Sequence, residues 1–358
     1  MPDPQQQGGP PPESVVFDRF DGIKNTVAPE RLSSSDLEFA RDIDLDDTGQ
    51  PRRRRGYTRK IAAEFHSLQN VGSRVVAVRS GQFGRIRDDY SFLPLYYVGS
   101  APVCCTHVNE EIYFSSALGA GVVDINDNVL PWGKTDGQGQ WLSPVLNPTP
   151  NLGQVAGKLL GDPPRATAIE AFHGRIYLAQ GKILWRTEPF LYHIVDRTRG
   201  FYQFEHDITM VKSVDDGLFV GTTDALYFLA EERILMREFG SLKLDAVLEC
   251  QVVPGSAVIA PVDLVHPGAI NQPMGTGKAI IFLTNSGIMV GLNSGETYNL
   301  TVARCLLPHG VAAAALFRQD QGANSYVAAI DSAGGPSSNA RIGDYIDAQI
   351  IRASQVGG

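Results

Sequence analysis

The sequence predicts an all-β chain arranged as a radial β-propeller. Three observations carry this. Short apolar runs recur in pairs about a turn from residue 75 onward. Their spacing clusters near the length of a propeller blade. Helical periodicity is weak throughout, so the amphipathic crossovers of a parallel α/β fold are missing.

The pairs read as hairpins, β-branched and aromatic runs bounded by turn residues. Val75-Val76-Ala77-Val78 turns through residues 79–82 into 83–86, and Ile112-Tyr113-Phe114 turns through 115–121 into Val122-Val123. Ile176-Tyr177-Leu178 turns through 179–182 into Ile183-Leu184-Trp185, and Leu218-Phe219-Val220 turns through 221–224 into 225–229. Ile280-Ile281-Phe282-Leu283 turns through 284–287 into Ile288-Met289-Val290, and a weaker sixth copy begins at Tyr326-Val327-Ala328-Ala329. The runs are continuously apolar rather than alternating, which marks strands covered on both faces. Polar turns deliver three of them: Asn109-Glu110-Glu111, His173-Gly174-Arg175 and Asp215-Asp216-Gly217.

Hairpin starts at 75, 112, 176, 218, 280 and 326 give spacings of 37, 64, 42, 62 and 46 residues. Three of these sit near the blade period, and the two long intervals hold Gly/Pro-rich insertions at 133–165 and 254–278. A four-stranded sheet cannot cover both of its own faces, whereas a ring of sheets can. The expectation is six blades, with seven as the alternative, closed by residues 14–20 pairing with 345–351. The division is a disordered Pro/Gln/Gly-rich tail over 1–14, an N-terminal arm over 15–60, and the propeller over 61–358. Ser33-Ser34-Ser35-Asp36 before Leu37 reads as the cap of one short helical turn.

The chain has 358 residues and a formal net charge of -8, which argues against nucleic-acid binding as the task of the whole surface. No window reaches the roughly 18 apolar residues of a membrane span, and the first residues lack the pattern of a signal peptide. Cys104, Cys105, Cys250 and Cys305 show no CxxC pairing and read as buried free thiols.

Motifs that suggest chemistry fail on inspection. Gly275-Thr276-Gly277-Lys278 lacks the hydroxyl residue after the lysine and leads into a strand. No two histidines stand at HxH or HxxxH spacing, and there is no GxSxG elbow, so no metal, cofactor or catalytic residue is assigned. Ser213-Val214-Asp215-Asp216-Gly217 resembles the front half of the Asp-box turn of sialidase-like propellers, a structural element.

One charge cluster stands out. Asp42, Asp44 and Asp46 alternate with apolar residues, a turn follows at residues 48–51, and Arg52, Arg53, Arg54 and Arg55 come next. It fails as a calcium loop because Asp47 and Arg53 occupy the positions of the required glycine and glutamate. If the turn closes a hairpin, acids face arginines across two strands. These seven residues are the candidate interaction site, for an acidic partner surface or DNA phosphate.

The same region carries a resemblance. Phe20-Asp21-Gly22-Ile23-Lys24-Asn25, Pro29-Glu30-Arg31-Leu32, residues 40–46, Gly49 and residues 52–58 are similar to the opening of a group of tailed-bacteriophage virion proteins. Arg41 stands where Asn is usual, and Gln50-Pro51 replaces an apolar lead. Residues 123–133 look like the same group. The resemblance implies a tail hub, nozzle or head–tail connector subunit, a non-enzymatic β-propeller made in the host cytoplasm and placed in the virion tail or head–tail junction. It implies a ring of six or twelve copies beside portal, adaptor and tail fibre or spike proteins, through which genomic DNA passes without specific binding. An arm bridging neighbouring subunits fits that role. The alternative function is a propeller that binds or cleaves host-surface glycans.

Overall fold

The computed structural model describes residues 19–40, 43–45, 49–54, 56, 58–133, 135, 154–155, 158–230, 244, 246–265, 277–301, 304–305, 307, 310–320, 323–332 and 346–349. They form an all-β β-propeller of five blades. Blade one is His66–Val71, Arg74–Arg79, Gln82–Ile86 and Phe92–Tyr97, an antiparallel meander. Blade two is Val103–Val108, Glu111–Ser116, Ala120–Val123 and Val129–Pro131. Blade four is Ile208–Val214, Gly217–Thr222, Ala225–Ala230 and Ala246–Glu249; blade five is Val258–Pro261, Lys278–Thr284, Gly287–Gly291 and Thr297–Asn299.

Blade three is larger. Ala168–Phe172, Arg175–Gln180 and Ile183–Glu188 form its meander. Its third strand then splits its free edge between Leu191–Asp196 and Phe201–Gln203. Lys158–Gly161, from the 133–165 stretch, adds to Leu191–Asp196. Val258–Pro261 lies within the 254–278 stretch and supplies the first strand of blade five.

The expected count of six blades is corrected to five. The sixth apolar run lies inside Ala323–Ser332, a ten-residue strand pairing with the eleven-residue Gly310–Asp320 before it and with Ile346–Gln349 after it. This terminal sheet has three strands, two of them far longer than blade strands. Residues 14–18, part of the expected closure, and the tail over 1–14 lie outside the described residues; Ile346–Gln349 pairs with Ala323–Ser332.

The first five predicted hairpins are the middle two strands of blades one to five. Their continuous apolarity has the expected cause in blades two to five, because each of these sheets packs against a sheet on either side. Five of the six core clusters are each drawn from two successive sheets; the sixth, Leu160 with Ile194, lies within blade three. Phe83 of blade one stacks on Phe114 of blade two at 4.6 Å. Tyr113 and Trp132 join blade two to Ile176 and Leu178 of blade three. Tyr177 and Leu184 meet Leu218 and Val220. Phe219 and Leu226 meet Ile280 and Phe282, and Ile281 and Val290 meet Tyr326 and Ala328 of the terminal sheet.

Turns repeat too. Ser80 and Gly81, at φ 50° and 77°, join the middle strands of blade one. His173 and Gly174, at φ 44° and 69°, join the first two strands of blade three. Two consecutive positive φ values match the twist of a tight hairpin. In blades two, four and five a hydroxyl closes the turn after the second strand. Ser116 Oγ donates to Gly119 O at 2.9 Å, Thr222 Oγ1 to Ala225 O at 2.9 Å, and Thr284 Oγ1 to Gly287 O at 3.0 Å.

The expected helical turn at residues 33–40 is also corrected. Asp36–Leu37 is a short strand parallel to Gly22–Ile23, and the helical turn is a 3₁₀ turn at Pro29–Arg31. The serine hydroxyls bind carboxylates instead of helix N–H groups: Ser33 Oγ donates to Asp36 at 3.0 Å and Ser35 Oγ to Asp21 at 2.7 Å. Among the described residues no helix is long and apolar enough to cross a membrane.

Candidate interaction site: a polar clasp between the arm and the terminal sheet

The acid and arginine runs form a hairpin. Ile43–Leu45 pairs antiparallel with Pro51–Arg53, so Asp44 faces Arg52 and Ile43 faces Arg53. Alternation along a strand puts Asp44 and Arg52 on one face and Arg53 on the other. Asp42, Asp46 and Arg55 lie outside the described residues. Asp44 takes Arg54 Nε on Oδ1 at 2.9 Å, two residues beyond its cross-strand partner Arg52 and so on the same face. Its other oxygen accepts Arg318 Nη2 at 3.1 Å, from the terminal sheet. The carboxylate thus joins two guanidinium groups, and each bond is charge-assisted.

A second junction lies earlier in the arm. Arg304 Nη1 donates to the Asp21 carbonyl at 2.9 Å and meets Asp36 Oδ1 at 3.2 Å. The Asn25 N–H donates to the Arg304 carbonyl at 2.9 Å, and Cys305 Sγ donates to Ile23 O at 3.4 Å. Lys24 Nζ stands 3.4 Å from Asp36 Oδ2. The Asp36 side chain is only 5% exposed. Burial by itself would raise its pKa, but the Ser33 hydroxyl and the Lys24 ammonium outweigh that and hold it below the ordinary value. Burial raises the Cys305 thiol.

Of the seven residues proposed from sequence, Asp44, Arg52, Arg53 and Arg54 are described, and Asp44 and Arg54 make only half of the arrangement. Asp44 and Arg54 are joined as expected. Asp36, Arg304 and Arg318 had no sequence signal, since each stands singly in an ordinary context and its partner lies far along the chain.

Other carboxylates join blades. Asp127 of blade two meets Arg85 at 3.1 Å and Arg74 at 3.7 Å, both of blade one. Glu170 of blade three takes Ser213 Oγ at 2.6 Å and Lys212 Nζ at 3.3 Å from blade four. Asp215 of blade four accepts the Lys278 N–H at 2.9 Å and the Asn293 amide at 3.3 Å from blade five. The Asp-box-like turn thus has a structural task on both sides, through Ser213 and Asp215. Lys278 begins a strand, as the failed phosphate-loop motif requires. Among the described residues no group of three or more His, Cys, Asp or Glu could hold a metal ion. Burial pushes the Cys104 thiol up to about 12.

Comparison with known proteins gives fold-level likeness only. No family model and no curated protein matches. Solved structures similar to this chain include the N-terminal domain of BBS1 in complex with ARL6, at 13% identity over 72% of this chain and 71% of that one, TM-score 0.40. The WD40 β-propeller domain of Doa1 is 13% identical over 76% and 80%, TM-score 0.40. The WD40 domain of Pan2 from Neurospora crassa is 11% identical over 74% and 71%, TM-score 0.38.

Proposed function

We propose that the chain is a structural subunit of a bacteriophage virion, a propeller that assembles into a ring at the tail hub, nozzle or head–tail connector. One observation carries this reading. The described residues of the segment whose sequence resembles the opening of such proteins, 20–58, form a separate arm held on the propeller by ion pairs and backbone bonds. The described residues of the arm over 19–54 contribute nothing to the five inter-sheet clusters. An element that adds no core to its own subunit is suited to joining subunits.

The chain then acts by geometry. Blades locked to one another by clusters and carboxylate bridges make a stiff disc, and a ring of discs leaves a central passage. A net charge of -8 per subunit repels phosphate, so genomic DNA slides through without adhering. Portal, adaptor and fibre or spike proteins are the neighbours this role requires, in six or twelve copies of the ring, and no catalytic group or cofactor takes part.

Mass spectrometry of density-purified particles tests the proposal. The chain is expected at a copy number near that of the portal. Its absence from particles that still carry complete tails would rule the role out.

A further inference from the structure

We infer that the N-terminal arm is exchanged between copies, so that residues 20–54 of one copy dock on the Arg304 and Arg318 surface of a second. This exchange rests on the assembly reading above and names its contact.

The arm is separable by construction. Among its described residues only Gly22 is buried. Its anchors are polar: Asp36 to Arg304, Asp44 to Arg318, and the backbone bonds around Ile23 and Asn25. Undocking therefore exposes little apolar surface, and the hydrophobic cost that holds most elements in place is small here.

The connection allows it. From Thr58 to Glu64 the chain has no strand or helix and is mostly exposed. Those seven residues can span up to about 25 Å when extended. Beyond them Phe65 packs edge-on against Phe92 of blade one at 5.7 Å, which fixes where the connector leaves the body. Re-aiming the connector presents the same acids to the same arginines of a neighbour. Exchange of an identical element conserves every contact, so the open ring or closed dimer costs only the connector's rearrangement.

The chemistry also specifies the partner. The acceptor presents two arginines, Arg304 and Arg318, at a spacing matched by Asp36 and Asp44 of this chain. A second copy supplies that pattern by definition.

Two variants test the exchange. One reverses the arm, Asp36→Arg with Asp44→Arg. The other reverses the body, Arg304→Asp with Arg318→Asp. Neither can dock its arm on itself. In an equal mixture the reversed arm meets the reversed body, and the native arm of the second variant meets the native body of the first. Analytical ultracentrifugation is expected to show single-copy mass for each alone and a doubling or more on mixing. A chain carrying all four changes controls for folding, because its core residues are untouched. A mixture that stays at single-copy mass overturns the exchange, whether or not the four-fold variant docks its own arm. That result would leave the virion role standing, since particle composition is measured separately.

Discussion

Asp44 and Arg318, 274 positions apart in sequence, meet at 3.1 Å and tie the arm hairpin to the terminal sheet. The side chains are only 19% and 15% exposed, so this pair is less screened than an ordinary surface bridge. Because the same carboxylate also holds Arg54, it is the most economical place to release the arm.

Asp44→Ala removes both charge-assisted bonds. The expected loss is about 1–3 kcal/mol of arm docking. Limited proteolysis between residues 58 and 64 should quicken by at least tenfold while the propeller body stays intact. Equal cleavage of variant and wild type would mean the arm is held elsewhere.

The depressed pKa of Asp36 sets a pH dependence. A carboxylate whose folded pKa lies below its unfolded value contributes fully above the unfolded value, near 3.8. That contribution drains away as pH falls from there through the folded pKa. The arm should therefore stay docked at neutral pH and loosen only in acid. Cys305 reports this, because its Sγ lies against Ile23 O. Its reaction with a thiol reagent active at low pH should accelerate below about pH 4, and Asp36→Asn should give the fast rate already at pH 7.

The inter-blade core carries the stability. Phe114 is fully buried, stacked on Phe83 and tilted against Tyr96 at 5.4 Å. Phe114→Ala should cost about 3–5 kcal/mol in chemical denaturation. Phe39→Ser on the arm should change it by less than about 0.5 kcal/mol. Similar costs for the two would contradict the separation of arm and core.

The terminal sheet is packed on blade five through a hydrogen bond. Tyr326 OH donates to the Ser256 carbonyl at 2.6 Å, and Tyr326 is fully buried. Tyr326→Phe leaves that carbonyl short of a donor and should cost about 1–2 kcal/mol. Hydrogen exchange should rise in 310–332 before it rises in blades two to four.

The middle hairpin of each blade was legible because a strand covered on both faces must be apolar at every position, as in Ile280-Ile281-Phe282-Leu283. Outer strands were not, because Val129–Pro131 and Thr297–Asn299 are three residues each and partly exposed. The blade count failed at Gly310–Asp320, whose run of four alanines has low strand propensity and hid an eleven-residue strand. The clasp was half legible. Acids and arginines joined by a turn announce a hairpin, whereas Arg304 and Arg318 carry no local pattern, and ion pairs across such sequence distances arise only from the closed fold.

Electron cryomicroscopy of purified particles tests the central claim most directly. The account expects a ring of five-bladed discs around the DNA path at the tail or head–tail junction, with density for residues 20–54 joining each disc to the next. Tail density fully accounted for by other chains, with no such ring, would contradict it.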